Sequence, residues 1–301
     1  MKDAPLAKPL PPLAGEGANC EGRMPKRTAK PARRACRRSG TQGGWGAWGR
    51  RVPPPALRAP SPASGGRKVV LALMFGLCIG SLHAQDKPAL SPAKTAAEAN
   101  LVDIRTLVPD IAEDIKYAGS DNFMGTPADG YRAPACLLLR PVAEALARVE
   151  RDLRTRHQRL KIWDCYRPAR AVAHFVRWAH DLSDQRTKPQ HYPRLDKSEL
   201  LHGYIAESSG HSRGATIDLT MQQCAADGSR CMPLDMGTDF DFFDVRAHTD
   251  TPDVTPQQHA NRLRLRDAME HAGFRNYPME WWHYTLDPEP TPHTLYDVPV
   301  Q

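Results

Sequence analysis

From about residue 100 onward the apolar and polar positions fall into short periodic runs. Residues 141 to 157, PVAEALARVERDLRTRH, open with Pro at a first-turn position and repeat Val142, Ala145, Leu146, Val149 and Leu153 at helical spacing, which predicts an amphipathic helix. RLKIWDC, residues 159 to 165, alternates Leu160 and Ile162 with polar neighbours and stops at Tyr166-Arg167-Pro168, so a strand is expected to run into a turn with Arg167 at its end. A second helix is predicted over 169 to 182, ARAVAHFVRWAHDL. The segment after it, 183 to 207, is long and polar, carries Pro189 and Pro193, and has the length of a lid or binding loop. Ala215, Ile217 and Leu219 alternate in a short strand, and Thr255 and Pro256 read as the cap and first turn of a helix that ends at Gly273. Trp281 to Thr285 are strand formers placed after Pro278. Helices and short strands alternate without regular βαβ spacing and without an internal repeat, which predicts a single α+β domain over residues 85–301.

Composition removes the first part of the chain from that domain. Residues 1–66 are built from Pro, Gly, Ala, Ser and Arg and cannot bury enough apolar surface to offset their ordering entropy, so a disordered leader is expected there. Through residue 68 there are 15 Lys and Arg against 3 Asp and Glu, while the remainder carries 26 against 31. The basic pI of about 9.1 therefore belongs to the leader. A basic arm can bind nucleic acid or anionic lipid, but a signal peptide follows: Arg67-Lys68, the apolar run VVLALMFGLCIG at 69 to 80, and a small residue at Ala84. Export to the periplasm with cleavage after Ala84 is expected, with no stable membrane span. The leader then reads as a disposable or misassigned upstream extension, with the true start near Arg67 and no nucleic-acid partner.

Of seven cysteines, four fall in the mature chain: Cys136, Cys165, Cys224 and Cys231. In an oxidising compartment four cysteines suggest two disulfides. Cys224 and Cys231 flank AADGSR, a turn that can bring them together, which leaves Cys136 with Cys165. A four-cysteine zinc site is the competing reading, and it lacks any CxxC spacing.

The chemistry concentrates in two segments. SSGHSRGATIDLT, residues 208 to 220, puts His211 in a glycine-flanked loop and Asp218 between Ile217 and Leu219, where an unpaired carboxylate would be very costly and a metal would compensate it. In EWWHY, residues 280 to 284, Glu280 and His283 are separated by two aromatics, whose low dielectric would raise the Glu pKa toward the range of a general base. Two His and one Asp leave a fourth zinc position for water, the pattern of catalytic rather than structural zinc. Singly, neither HxxxxxxD nor ExxH is specific, and ExxH is also a helical di-iron signature; the neighbours Trp281, Trp282 and Tyr284 favour a strand instead.

Taken together, KYAGSDNFMG, IWDCYRP, SSGHSRGATIDLT, MGTDFDFFD, NRLRLRDAMEHAGF and EWWHY make residues 104 to 300 resemble the D-alanyl-D-alanine dipeptidase branch of the zinc D,D-peptidases, which includes the vancomycin-resistance dipeptidase. The resemblance implies a central, mostly antiparallel sheet flanked by helices (Hedgehog/D,D-peptidase-like), one Zn2+ held by His211, Asp218 and His283, Glu280 as catalytic base, and Arg167 stabilising the tetrahedral intermediate. It further implies that Asp241 anchors the substrate ammonium with help from Tyr117, and that Ser209 contacts substrate near the zinc. Asp239 and Asp244 are close enough in sequence to compete for the role of Asp241, and an ion pair of Arg167 with Asp164 competes with its catalytic role. Gly210 departs from the vancomycin-resistance enzyme, which has Ser before the zinc-binding His. The function implied is hydrolysis of a small dipeptide, D-Ala-D-Ala, in peptidoglycan turnover. Its rivals are a D,D-carboxypeptidase acting on stem peptides and a non-catalytic zinc-fold module.

Overall fold

The computed structural model describes residues 87–301; the leader, the signal segment at 67–84 and its cleavage site lie outside the described residues. Four short strands come first: β1 (Ala89–Leu90), β2 (Leu101–Asp103), β3 (Ala112–Glu113) and β4 (Leu137–Leu139). Helix α1 (Arg140–Arg154) starts immediately after β4, with Pro141 in the first turn where its missing N–H costs nothing. Val142, Ala145, Leu146, Val149 and Leu153 form its buried stripe, as their spacing predicts. Strand β5 (Gln158–Asp164) alternates buried and half-buried residues. The chain then turns at Pro168 into α2 (Ala169–His180), which buries Ala171, Val172, Phe175, Trp178 and Ala179.

Residues 183–207 are more ordered than a polar loop. They contain a four-residue helix, α3 (Lys188–His191), and a 3-10 helix, Lys197–Leu201, closed by a capping box between Asp196 and Glu199. Lys197 is buried, and its Nζ donates at 2.8 Å to the carbonyls of both Asp181 and Asp184 while lying 3.6 Å from the Trp178 ring centroid. That cation ties the segment to the end of α2.

Strand β6 (Thr216–Gln223) is buried on both faces up to its last residue, so its alternation separates two covered surfaces rather than a core face from a wet one. The short β7 (Met232–Pro233) is followed by α4 (Pro256–Glu270), opened by a reciprocal capping box between Thr255 and Gln258. The helix stops at Glu270, and Gly273, at φ +94°, supplies the left-handed turn into β8 (Phe274–Asn276). Strand β9 (His283–Leu286) begins two residues later than the aromatic run suggests. Trp281 and Trp282 are instead in a turn, where Trp281 N donates to Ala247 O and both indoles are buried. Strand β10 (Thr294–Leu295) closes the order.

The main sheet runs β3-β5-β6-β9-β8, with β7 along the far end of β6. Strand β3 pairs with β5 in parallel, and β5, β6, β7, β9 and β8 pair antiparallel. Two small pairs, β2 with β4 and β1 with β10, lie outside it. Helix α1 packs on β5 and α4 on β8, so one mixed α/β domain surrounds a single core that includes Leu146, Ile162, Ile217 and Leu265. Both disulfides, Cys136–Cys165 and Cys224–Cys231, are formed. Among the described residues no helix is long and apolar enough to cross a membrane.

Candidate metal centre and active site

Register places the chemistry. In the ladders of β5, β6 and β9, Asp164 faces Asp218, and Asp218 faces His283, so three polar side chains line up across neighbouring strands. His211 arrives from a 3-10 turn, Gly210–Arg213, that precedes β6 and ends at Gly214 in the left-handed region. Ser209 caps this turn, its Oγ accepting from His211 N at 3.2 Å.

Around Asp218 the atoms converge. His211 Nε2 lies 3.2 Å from Asp218 Oδ2, and His283 Nδ1 lies 3.0 Å from Asp218 Oδ1 and 3.3 Å from Glu280 Oε2. The two histidine nitrogens are 3.4 Å apart. One ligand atom from each of His211, Asp218 and His283 falls within 4.8 Å of the others. The donor set passes two tests for a divalent cation. His211 Nδ1 faces the carbonyl of Cys165 at 2.7 Å, so it carries the proton and Nε2 turns a lone pair into the cluster. Asp218 Oδ1 is buried without a hydrogen-bond partner despite its proximity to His283, a cost that a cation would remove. Burial opposes the charge on Asp218, but the two imidazoles outweigh it and hold its carboxyl below the ordinary range.

Glu280 stands before β9, its N donating to Tyr277 O and its O accepting from His283 N. Burial, reinforced by Asp218 and opposed by His283 and Arg167, pushes its carboxyl up to about 7. The dry surroundings expected for it exist, but Trp281 and Trp282 do not provide them. Their rings pack on Trp163 and Phe240, outside the cavity, and the aromatic side chains that share the cavity wall with Glu280 include Tyr204, Phe243 and Tyr277. Successive residues in a turn point to different sides, and only Glu280 and His283 point inward.

Arg167 makes the ion pair with Asp164 and also lines the cavity. It forks onto Asp164 Oδ2 through Nε at 2.9 Å and Nη2 at 2.8 Å, and Nη2 also lies 3.5 Å from Asp218 Oδ2. Its guanidinium carbon sits 4.9 Å from the ring centroids of both Tyr117 and Phe175. Asp164 in turn accepts from the hydroxyl of Tyr131 at 2.5 Å. The ion pair orients a cation that still lines the cavity.

From Tyr117 the chain of contacts continues to Asp241, whose Oδ2 accepts from the Tyr117 hydroxyl at 2.8 Å. Asp241 is buried at 5% exposure, adopts φ +54°, and forms no ion pair among the described residues. Burial, with Asp218 adding to it, raises its carboxyl well above the ordinary value. Its acidic neighbours in sequence lie elsewhere. Asp244 pairs with Arg194 and Arg246 and caps the turn Val245–Ala247, and Asp239 borders a different hollow beside Trp163 and Trp281. Two supports of the Asp241 loop escape a sequence reading: His191, whose Nδ1 is 3.0 Å from the Asp241 carbonyl oxygen, and Arg262. Arg262 is buried on α4 and donates to the carbonyls of Met236 (2.7 Å) and His248 (2.7 Å), the two ends of the loop that carries Asp241.

Arg167, His211, Asp218, Asp241, Glu280 and His283 share one cavity of about 210 Å³, with Phe123, Val172, Phe175, Ile205 and Ala206 in its apolar wall. The Gly210 position has a local cause: a Cβ there would meet Thr216 Oγ1 at 2.7 Å, and that hydroxyl is engaged with Thr285 Oγ1 at 2.9 Å.

Comparison with known proteins agrees with this arrangement. Residues 97–301 match the peptidase M15 family model, described as D-Ala-D-Ala dipeptidase. The chain is 43% identical over 195 residues to a D-alanyl-D-alanine dipeptidase of Streptomyces coelicolor, covering 64% of this chain and 95% of the relative. It is 40% identical over 196 residues to one from Enterococcus faecium, covering 65% and 95%. Against the Escherichia coli enzyme of the same name the values are 33% over 186 residues, 62% and 84%. A match from residue 97 to 301, on a fold that gathers two His, an Asp and a Glu around one cavity, makes the chain a member of the D-Ala-D-Ala dipeptidase family of M15 metallopeptidases.

Proposed function

We propose that the protein is a zinc-dependent dipeptidase that hydrolyses D-Ala-D-Ala to two D-alanines. His211 Nε2, Asp218 and His283 Nδ1 would hold the metal. Bound zinc supplies Lewis acidity and an activated water at neutral pH. Glu280 takes the proton of the attacking water and delivers it to the departing amine nitrogen, roles suited to a carboxyl pushed up to about 7. Arg167, held by Asp164, offers its free N–H groups to the oxyanion that forms as the carbonyl becomes tetrahedral. Asp241 receives the substrate ammonium, positioned by Tyr117, and Ser209 borders the cavity beside His211.

The observation that carries this reading is Asp241: a buried carboxylate without a cationic partner among the described residues, in a cavity of about 210 Å³. Such a group is costly in the free protein and is compensated by a ligand that brings its own positive charge. A free dipeptide has that charge, whereas the acylated D-Ala-D-Ala end of a stem peptide does not. Comparison of D-Ala release from the free dipeptide and from its N-acetyl derivative tests this, and equal turnover of both would favour a carboxypeptidase. A non-catalytic module is disfavoured by the presence of Glu280 and Arg167 in the same cavity.

The working unit we assign is residues 85–301, exported through the signal at 67–84 and acting in the periplasm on dipeptide from cell-wall metabolism. Two formed disulfides support an oxidising compartment. No nucleic-acid role is assigned to the basic leader.

A further inference from the structure

We propose that the Cys136–Cys165 disulfide is a positioning element of the metal centre, holding the Cys165 carbonyl against His211 so that the metal-binding nitrogen faces Asp218 and His283. This rests on the zinc-peptidase reading above and adds a dependence of metal binding on the oxidised chain.

Cys165 is the first residue past the β5 ladder, whose last pair is Asp164 with Asp218 and whose register is irregular between Ile162 and Asp164. The sheet therefore stops holding the backbone just where its carbonyl must be accurately placed. That carbonyl is the acceptor, at 2.7 Å, for His211 Nδ1. A neutral imidazole has one N–H, so fixing it on Nδ1 leaves Nε2 free as a ligand; a partner of this kind governs both ring orientation and ligand basicity.

What replaces the missing ladder is covalent. Cys165 is bonded to Cys136, which leads into β4, and both residues are buried, at 1% and 0% exposure. The anchor point is itself fixed: Cys136 O accepts from Ile104 N, Leu137 O accepts from Tyr166 N at 2.9 Å, and Leu139 N donates to Gly214 O at 3.0 Å. Strand β4 thus holds the turn carrying Arg167 on one side and the end of the turn carrying His211 on the other. The two turns also meet directly, Arg167 N donating to His211 O at 3.2 Å. Without the covalent tie the Asp164 to Arg167 turn keeps only non-covalent contacts, and the ligand tautomer and the Arg167 cation lose a common support.

The second disulfide is a built-in control. Cys224 and Cys231 bracket a turn after the far end of β6, six residues beyond Asp218 in sequence, and contribute nothing to the cavity wall.

The test compares full-length wild-type protein with Cys136→Ala/Cys165→Ala and Cys224→Ala/Cys231→Ala, measuring zinc affinity by chelator competition below each variant's unfolding midpoint. The first pair is expected to weaken zinc binding roughly 10- to 100-fold, and the second to leave it within about twofold while lowering thermal stability. Equal zinc affinity in all three proteins overturns the proposal. Failure of the wild type to bind zinc overturns the underlying reading instead. Should the first pair not fold, the Cys224→Ala/Cys231→Ala protein is titrated with zinc before and after reduction of Cys136–Cys165 by a phosphine: a loss of roughly tenfold or more on reduction supports the proposal, and unchanged affinity overturns it.

Discussion

Replacing Asp241 by Asn removes one charge and little else. Asn tolerates the left-handed backbone that Asp241 occupies at φ +54°, and its amide oxygen can still accept from the Tyr117 hydroxyl, now 2.8 Å from Oδ2. The substrate ammonium, by contrast, loses its counter-ion. At about 4 Å and an effective dielectric near 20 the attraction is about 4 kcal/mol, and removal of one partner of a buried charged pair costs about 2 to 5 kcal/mol. D241N should therefore lower kcat/KM for D-Ala-D-Ala by roughly a factor of 10² to 10³, chiefly through KM. The free protein should respond in the opposite sense. The Asp241 carboxyl is raised in the folded state by burial and Asp218, so its protonated form stabilises the fold at low pH and this contribution is lost as pH rises above the unfolded carboxyl value. The variant should then melt higher than wild type at neutral pH and at about the same temperature near pH 3.5. Steady-state kinetics and thermal melts at both pH values check this. Unchanged kcat/KM, or a neutral-pH melting temperature below wild type, would refute the amine-anchor argument.

Three other perturbations probe separate parts of the account. Arg167→Lys keeps a charge but cannot fork onto Asp164 or spread a planar cation over Tyr117 and Phe175; kcat should fall roughly 10²-fold or more with a smaller change in KM, as steady-state kinetics will show. The Glu113 side chain is enclosed with neither carboxylate oxygen hydrogen-bonded, although Arg105 Nη2 lies 3.2 Å from Oε2, and burial pushes it up to about 7 from 4.5, so its contribution to stability is full below about pH 4.5 and lost as pH rises through 7. Denaturant titrations should find E113Q equal to wild type near pH 4.5 and more stable by about 2 kcal/mol at pH 8, less than the full shift because nearby solvent screens the charge. Gly210→Ser should cost about 1 to 3 kcal/mol through the clash with Thr216, and adding Thr216→Ala should recover most of the lost melting temperature.

Local pattern made the long elements legible. The stripe from Val142 to Leu153, the alternation around Ile162, and the Thr255 cap with Pro256 are properties of neighbours, and α1, β5 and α4 lie within a few residues of where they point. The cluster's membership was also readable, because an Asp between Ile217 and Leu219 asks for a charge. Its geometry was not. That Asp218 faces His283 depends on strand pairing across 65 residues of chain. Similarly, α3 and the 3-10 helix in 183–207 are too short and polar to leave a period, and they are held by Lys197 on carbonyls that no pattern announces. The two tryptophans of EWWHY lie on a surface that their sequence does not indicate. Sequence shows that Trp281 and Trp282 are apolar, but only the turn before β9 decides that they pack against Trp163 and Phe240.

The central claim is that one metal held by His211, Asp218 and His283, with Glu280 beside it, cleaves a free dipeptide. D-alanine release from D-Ala-D-Ala, measured for zinc-loaded protein, for the same protein after chelation and zinc restoration, and for Glu280→Gln, addresses it most directly. The account predicts activity that disappears on chelation, returns with zinc, and falls at least about 10²-fold in the variant, in line with the loss of a general base. Full activity after chelation, or in Glu280→Gln, would contradict it.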